Sequence, residues 1–145
     1  GPWSERNHIR HVANTYRDAG YTVDCRWLTE DHDPPVGIPE LNLLDNNADV
    51  QAVLREQGIS DLQDVYTADA VVIINSQSRG HETSGKAVEM GFAIASGKPI
   101  VLIGDKTNIF HTLSSVTQFA TVEESIAWMD QTDEDLRKES GNLHV

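Results

Sequence analysis

The stretch DLQDVYTADAVVIINSQSRGHETSGKAVEMGFAIASGKP, Asp61 to Pro99, is the most informative part of this chain. It contains the run ADAVVIIN, Ala68 to Asn75, which is typical of a parallel strand buried on both faces. A polar loop follows, and then a helical segment, Ser84 to Ser96, that ends in Gly97-Lys98-Pro99, a common sequence at helix C-termini. The stretch therefore predicts a strand, a loop and a helix, with one carboxylate, Glu89, inside the helix.

The flanking segments extend this alternation of helices and strands. Helical spacing is found at Asn7 to Ala19, Asp49 to Glu56, Ser60 to Thr67 and in a segment that opens at Thr121. Strands are predicted at Tyr21 to Leu28, Ile100 to Ile103 and Val116 to Ala120. Gly58 separates the two middle helices, and Thr121 with Glu124 forms a capping box. Thr29 to Asn47 is predicted to be a lid or a flexible loop, and Asp130 to Val145 a polar C-terminal extension.

Strands that alternate with helices indicate a single α/β domain over residues 1–145, with a doubly wound, mostly parallel sheet of the Rossmann or flavodoxin-like kind. Such domains bind ligands at the carboxyl ends of their strands, so the loop from Ser76 to Thr83 is a candidate binding segment. A domain of this kind usually begins with a strand that lies centrally in the sheet, whereas this chain begins almost at a helix. We therefore expect that one strand is missing upstream.

The composition narrows the class of ligand. The 145 residues carry a net charge of −12, from 23 acidic and 11 basic residues, which disfavours a nucleic-acid polymer as partner. A small phosphorylated ligand is compatible with this charge, since helix N–H groups and Arg79, Lys86 or Lys106 can bind it locally. No apolar run approaches the ~20 residues of a membrane span. The single cysteine, Cys25, suits a reducing cytosol, so we expect a soluble, cytoplasmic protein with no membrane partner.

Two other kinds of site are disfavoured by residue spacing. Gly80 to Lys86 matches the phosphate-loop pattern G-x-x-x-x-G-K, but Ala87 stands where Ser or Thr would give a hydroxyl to Mg²⁺. His8 and His11, three residues apart on the first helix, do not supply three convergent metal ligands. We therefore expect neither an ATPase nor a metal or other cofactor.

The order Thr83-x-Gly85-x-x-x-Glu89-x-Gly91-x-Ala93, followed by Gly97-Lys98-Pro99, resembles the nucleoside 2-deoxyribosyltransferase family and its relatives, the nucleoside 5'-monophosphate N-glycosidases. The segment Asp61-Leu62-x-x-Val65-x-x-Ala68-Asp69 before the apolar strand is also similar to that family, as is Gly1-Pro2-Trp3-Ser4 before the first helix. The resemblance covers residue 1 to about residue 128 and implies that the family's first strand is absent here.

The resemblance implies that Glu89 is the nucleophile at the anomeric carbon of the sugar and that Asp61 points into the sugar site. It also implies a nucleoside or nucleotide substrate and a homodimer or larger assembly. The residue types suit this chemistry, because a carboxylate can stabilise or trap the positive charge that builds on the sugar. A second carboxyl group, Asp61 or else Asp69, would hold the sugar hydroxyls or protonate the departing base.

Further residues are candidates for substrate binding. The hydroxyls of Thr83 and Ser84 and the N–H group of Gly85 suit a phosphate at a helix start. Arg79 and His81 lie in a loop that is longer than in shorter members of the resembled family. Trp3 is a candidate for stacking on the base.

Several alternatives stay open at this point. Hydrolysis and base exchange share their first step, and a non-catalytic nucleotide-binding module would keep the same pocket. Asp61 follows Ser60 and is equally compatible with a helix cap. Gly91, which costs roughly 1 kcal/mol against alanine inside a helix, indicates close packing on the sheet or close approach of a ligand. The apolar stripe expected along this helix consists of Val88, Phe92 and Ala95.

Overall fold

A computed structural model describes residues 2–24, 48–75, 84–132 and 141–145, without the side chains of residues 2–6, 50, 84 and 132. The helices are α1 (Pro2–Asp18), α2 (Ala48–Thr67), α3 (Ser84–Ala95) and α4 (Val122–Thr132), with a short 3-10 helix at Ile109–Thr112. The strands are β1 (Thr22–Asp24), β2 (Ala70–Asn75), β3 (Ile100–Gly104), β4 (Val116–Phe119) and β5 (Asn142–His144). The predicted loop Thr29 to Asn47 lies outside the described residues.

The five strands form one sheet in the order β1-β5-β2-β3-β4, and every neighbouring pair is parallel. One face of the sheet packs its apolar side chains against α1 and α4, with Tyr16 and Met129 fully buried there. The other face packs Val71, Ile73 and Leu102 against α2 and α3. Helices on both faces of a parallel sheet make the fold doubly wound, as the sequence predicts.

The C-terminal segment differs from its prediction as a polar extension. Residues Asn142–His144 form β5, which lies between β1 and β2 in the sheet, and Leu143 is fully buried. This central position is the one that a flavodoxin-like order assigns to the first strand of the sequence. In this sheet, β5 therefore occupies the position between β1 and β2 that the expected upstream strand would take.

Backbone and side-chain contacts of Asp69 fix β5 in this slot. The N–H group of Asp69 donates to the carbonyl of Asn142 at 2.8 Å, and its carboxylate accepts from the N–H group of Asn142 at 2.9 Å. Ladder pairs then place Leu143 opposite Ala70 and His144 opposite Val71. A strand of only three residues needs such added contacts, because isolated short pairings are marginal in water.

The break predicted at Gly58 is absent, since α2 is one helix of 20 residues. Glycine in a helix interior costs only about 1 kcal/mol, and packing of Val65 against the sheet and of α2 against α3 outweighs that cost. Asp61 consequently lies inside a helix and caps none.

The apolar stripe predicted for α3 is correct only at Phe92, which packs against the core, since Val88 and Ala95 are exposed. Met90 and Ala93 face the core, whereas Val88 is 59% exposed. This rotation follows from the sheet, whose apolar face selects the buried side of the helix, and it turns the neighbouring Glu89 towards α2 and the sheet. Gly91 does not mark close packing, because no described atom lies within 4 Å of the position that a Cβ there would take.

Thr121 begins α4 much as the capping box predicts. Its hydroxyl accepts from the N–H group of Glu124 at 3.2 Å. The Glu124 carboxylate returns to the N–H group of Ala120 at 3.1 Å, one residue earlier than the usual pattern.

Candidate active site

Four titratable side chains meet on the face of the sheet that α2 and α3 cover. Glu89 comes from α3, Asp61 and Asp64 from α2, and His144 from β5. Along β5, Leu143 points to the α1 and α4 face, so the alternation of a strand turns His144 to the opposite face. The three elements thus converge on one cluster of carboxyl groups around an imidazole.

Glu89 is held beside His144 and keeps contact with solvent. Its side chain is 25% exposed, and its Oε2 lies 3.8 Å from Nε2 of His144. That distance is an ion-pair distance, longer than a hydrogen bond. Partial exposure leaves the carboxylate accessible to a ligand, and the imidazole ring lies beside one of its oxygens.

Asp61 lies across from Glu89, in the second half of α2. Its Oδ1 accepts a hydrogen bond from Nε2 of Gln57 at 2.8 Å. Burial raises the pKa of Asp61, as do the charges of Glu89 and Asp64, and this outweighs the lowering effect of the Gln57 bond and of His144. The structure thus places in one cluster the two carboxyl groups that the sequence singled out, and the charge of Glu89 contributes to the raised pKa of Asp61.

His144 is, with Asp64, one of the two members of the cluster that sequence reasoning missed. Its side chain is only 2% exposed, and neither ring nitrogen has a hydrogen-bond partner among the described residues. Burial alone would lower the pKa of His144, but the carboxylates of Glu89, Asp64 and Asp61 outweigh burial and raise it. The ring therefore holds its proton more tightly than an ordinary imidazole does.

The carboxyl ends of β2 and β3 are tied together by side-chain hydrogen bonds. Asn75 donates from Nδ2 to the carbonyl of Asp105 at 2.5 Å and to the hydroxyl of Thr107 at 3.0 Å. Gly104 has φ +107°, and a Cβ there would lie 2.3 Å from the carbonyl oxygen of Asn75, so this turn requires glycine. His111, in the short 3-10 helix that follows, is buried, and its Nδ1 accepts from the N–H group of Thr107 at 3.0 Å.

Comparison with known proteins places this chain in a family. The family model for nucleoside 2-deoxyribosyltransferases matches residues 5–129. The chain belongs to the nucleoside 2-deoxyribosyltransferase family. Neither a curated protein nor a solved structure matches it. Glu89 and Asp61 lie inside the stretch that matches the deoxyribosyltransferase model, whereas β5 with His144 lies beyond its end.

The structure describes only some of the remaining candidate residues of this deoxyribosyltransferase family member. Arg79, His81 and Thr83 lie outside the described residues. Ser84 and Gly85 form the first turn of α3, where the Lys86 ammonium donates to the carbonyl of Ile74 at 2.9 Å. The roles given to all of them stay predictions.

Trp3 and Asp69 are the other two candidates for substrate binding. Trp3 belongs to α1, and its side chain is outside the description. The carboxylate of Asp69 is engaged with the backbone of β5, as described above. A direct role for either residue in binding a substrate stays a prediction.

Two further findings bear on ligands and location. In the described part of the chain, no group of three or more His, Cys, Asp or Glu side chains is arranged to hold a metal ion. Within those same residues, no helix has both the length and the apolar character needed to cross a membrane.

Proposed function

We propose that this chain cleaves the N-glycosidic bond of a nucleoside 5'-monophosphate or a (deoxy)nucleoside through Glu89 and releases the free base. The observation that carries the proposal is the pair Glu89 and Asp61, two interacting carboxyl groups on facing helices. The family match supports chemistry at a glycosidic bond of this kind. A pair of carboxyl groups is the usual equipment for such bonds, one acting on the sugar and one on the leaving group.

In the first step, a carboxylate oxygen of Glu89 bonds to the anomeric carbon as the bond from that carbon to the base nitrogen breaks. The electron pair of the broken bond goes to the base, which takes a proton. Asp61 is suited to supply this proton, because its raised pKa keeps the acid form present to higher pH than an ordinary aspartate. The pair thus divides the work between a nucleophile and a proton donor.

In the second step, an incoming group attacks the anomeric carbon and frees Glu89. Water gives hydrolysis, and a second base gives exchange. Asp61, now ionised, accepts the proton from the attacking water or base, which is the reverse of its first role. Hydrolysis and base exchange therefore use the same residues and differ only in the attacking group.

The start of α3 supports a 5'-phosphate on the substrate. Ser84 precedes Glu89 by five residues, which corresponds to about 7.5 Å along the helix axis. The negative cluster around Glu89 disfavours a phosphate beside it, whereas N–H groups at a helix start favour one. A sugar held at Glu89 would thus direct its 5' end towards the first turn of α3.

The test is chromatographic detection of free base after incubation with a panel of nucleosides and their 5'-monophosphates, with and without an acceptor base. Glu89→Gln keeps the size of the side chain and removes the nucleophile, so base release should fall at least about 10³-fold. Glu56→Gln, at an exposed glutamate on α2, is the matched control and should keep the full rate.

The outcomes separate the possible functions. Release without an acceptor indicates hydrolysis, and release that requires an acceptor indicates transfer. Thermal stabilisation by a nucleotide without any release would point to a binding module instead, because a ligand of the native state raises its stability by mass action. Full activity in Glu89→Gln would refute the assignment of the nucleophile.

A further inference from the structure

We propose that His144, carried into the site by the C-terminal strand β5, is a positioning residue that holds the Glu89 carboxylate for attack on the sugar. This inference rests on the proposed function, in which Glu89 is the nucleophile. It concerns a residue beyond the stretch that the family model matches, which ends at residue 129. The argument therefore depends on contacts, burial and charge in this chain.

The burial of His144 demands a reason. The position pairs with Val71 on the face where α2 and α3 contribute Val65 and Met90, so an apolar side chain would fit the surrounding core. An imidazole there loses its contact with water, and no hydrogen-bond partner within the described residues compensates either nitrogen. An uncompensated buried polar group destabilises the folded state. A structural role alone does not explain that cost.

The charges around His144 supply the reason. Asp61 and Asp64 face it from α2, Glu89 faces it from α3, and Asp24 is its register partner on β1. Asp64 is itself 2% exposed, so part of this charge is removed from water. Carboxylates placed this close repel one another, and a cation among them offsets the repulsion. The imidazolium of His144 therefore keeps the cluster compatible with an ionised Glu89.

The geometry also assigns a direction to the nucleophile. Nε2 of His144 approaches Oε2 of Glu89 to 3.8 Å, from the side of the sheet. The pairing leaves Oε1 as the oxygen that bonds to the anomeric carbon. A closure of the ion pair by about 0.6 Å or more would bring a hydrogen bond within reach and fix the carboxylate plane, since N–H···O bonds extend only to about 3.2 Å. His144 thus acts on the reaction through Glu89 and does not itself touch the sugar.

The first experiment measures the ion pair without relying on activity. The ring resonances of His144 are identified by their absence in His144→Gln and are titrated by NMR in the unmodified chain and in Glu89→Gln. Because the Glu89 charge raises the pKa of His144, its titration midpoint should fall by about one pH unit in Glu89→Gln. His11→Gln, at an exposed histidine, should leave the His144 titration unchanged. A midpoint that does not move in Glu89→Gln would overturn the inference.

The second experiment measures catalysis. His144→Gln and His144→Asn should lower kcat of base release about 10- to 100-fold and change KM less than about twofold, because the orientation of Glu89 is affected more than substrate binding. The alkaline limb of the kcat profile that follows the deprotonation of His144 should disappear in both variants. Circular dichroism must show that both variants keep the fold of the unmodified chain. Two variants are used so that the test can still be made if one of them misfolds.

The outcomes distinguish this inference from the proposed function. An unchanged kcat in both folded variants would overturn the inference and leave the glycosidase intact. A proportional loss of kcat with an unaltered pH profile would also overturn it, because a purely structural role gives that result. Absence of base release from the unmodified chain would overturn the proposed function together with the catalytic part of this inference. The NMR titration would then be the test of the ion pair between His144 and Glu89.

Discussion

Asp61, the proton donor in the proposed reaction, is expected to lower the stability of the fold when it is ionised. Its carboxyl group lies near Glu89 and Asp64, and burial together with these charges raises its pKa. The folded state therefore binds the Asp61 proton more tightly than the unfolded state does. It follows that the free energy of unfolding falls as the pH rises from the unfolded pKa through the folded one, because ionised Asp61 is disfavoured in the fold.

Asp61→Asn separates these two effects. The amide cannot donate as an acid, so base release should fall about 10²-fold. The variant also removes a repelling charge, while its oxygen can still accept from Gln57, so its Tm at pH 7.5 should exceed that of the unmodified chain. The difference in Tm should shrink at pH 4.5, where the aspartate is more often protonated. Thermal unfolding at both pH values and the chromatographic assay make the test.

The control for this prediction is Asp49→Asn, which removes an exposed carboxylate from the first turn of the same helix. It should leave base release unchanged and should not raise the Tm, since acidic residues are favourable at a helix start. If Asp61→Asn released base at the normal rate, Asp61 would have no part in the reaction.

Individual site residues were predictable from the sequence to different degrees. Glu89 and Asp61 were found because each stands in a recognisable order of residues beside an apolar strand. His144 was missed because its strand is three residues long and follows a polar stretch, so two-residue periodicity had too little length to be detected. Asp64 was missed because one acidic residue in a charged helix gives no sign of its burial, which only tertiary packing decides.

The continuity of α2 leads to a prediction at Gly58. This residue is exposed, has ordinary helical φ, and has no described atom within 4 Å of a Cβ built on it. Gly58→Ala should therefore raise the free energy of unfolding by about 0.5–1 kcal/mol, because alanine has fewer unfolded conformations to lose. Denaturation by urea, monitored by circular dichroism, measures the change.

Gly104→Ala is the contrasting variant for this experiment. Its positive φ and the nearby carbonyl oxygen of Asn75 require a displacement of the turn, so this variant should destabilise the chain. Loss of stability in Gly58→Ala would instead mean that α2 is bent or tightly packed at that residue.

Elements were easier to predict than the faces they bury. The strands β2, β3 and β4 and the start of α4 lie within a residue or two of their predicted bounds, because apolar runs and a capping box are local signals. The helix break predicted at Gly58 was wrong because tertiary packing outweighs intrinsic helix propensity. The burial predicted for Val88 was wrong because a short apolar helix has several faces that could be buried. Packing against the sheet decides which of those faces is buried.

The connectivity of the whole sheet is that of a doubly wound domain whose first strand comes last in the sequence. The family resemblance predicts the class of fold and an empty central position, but pairing across more than seventy residues from Asp69 to Asn142 leaves no local pattern. The strand β5 can therefore be recognised only in the three-dimensional sheet.

This connectivity predicts that the central strand can be moved to the front of the chain. His144 lies opposite Val71, and β2 ends at Asn75, four residues later, so β5 would draw level with the end of β2 after Val145 and three more residues. A permuted chain of residues 141–145, three β-branched residues and residues 1–132 should therefore form the same sheet, since α1 begins near the edge towards which β5 runs. Its far-UV circular dichroism and its base release should match those of the unmodified chain.

Substitution of the same buried side chain in the original and the permuted chain shows whether β5 occupies the same position in both sheets. Leu143 is fully buried, so Leu143→Ala should cost about 2–5 kcal/mol of unfolding free energy in the original chain and an equal amount in the permuted one. Leu113→Ala, at a side chain that is 39% exposed, should cost less in both. A permuted chain that folds but is insensitive to Leu143→Ala would mean that β5 has left the sheet. Such a chain should then also lose activity, because His144 would no longer reach Glu89.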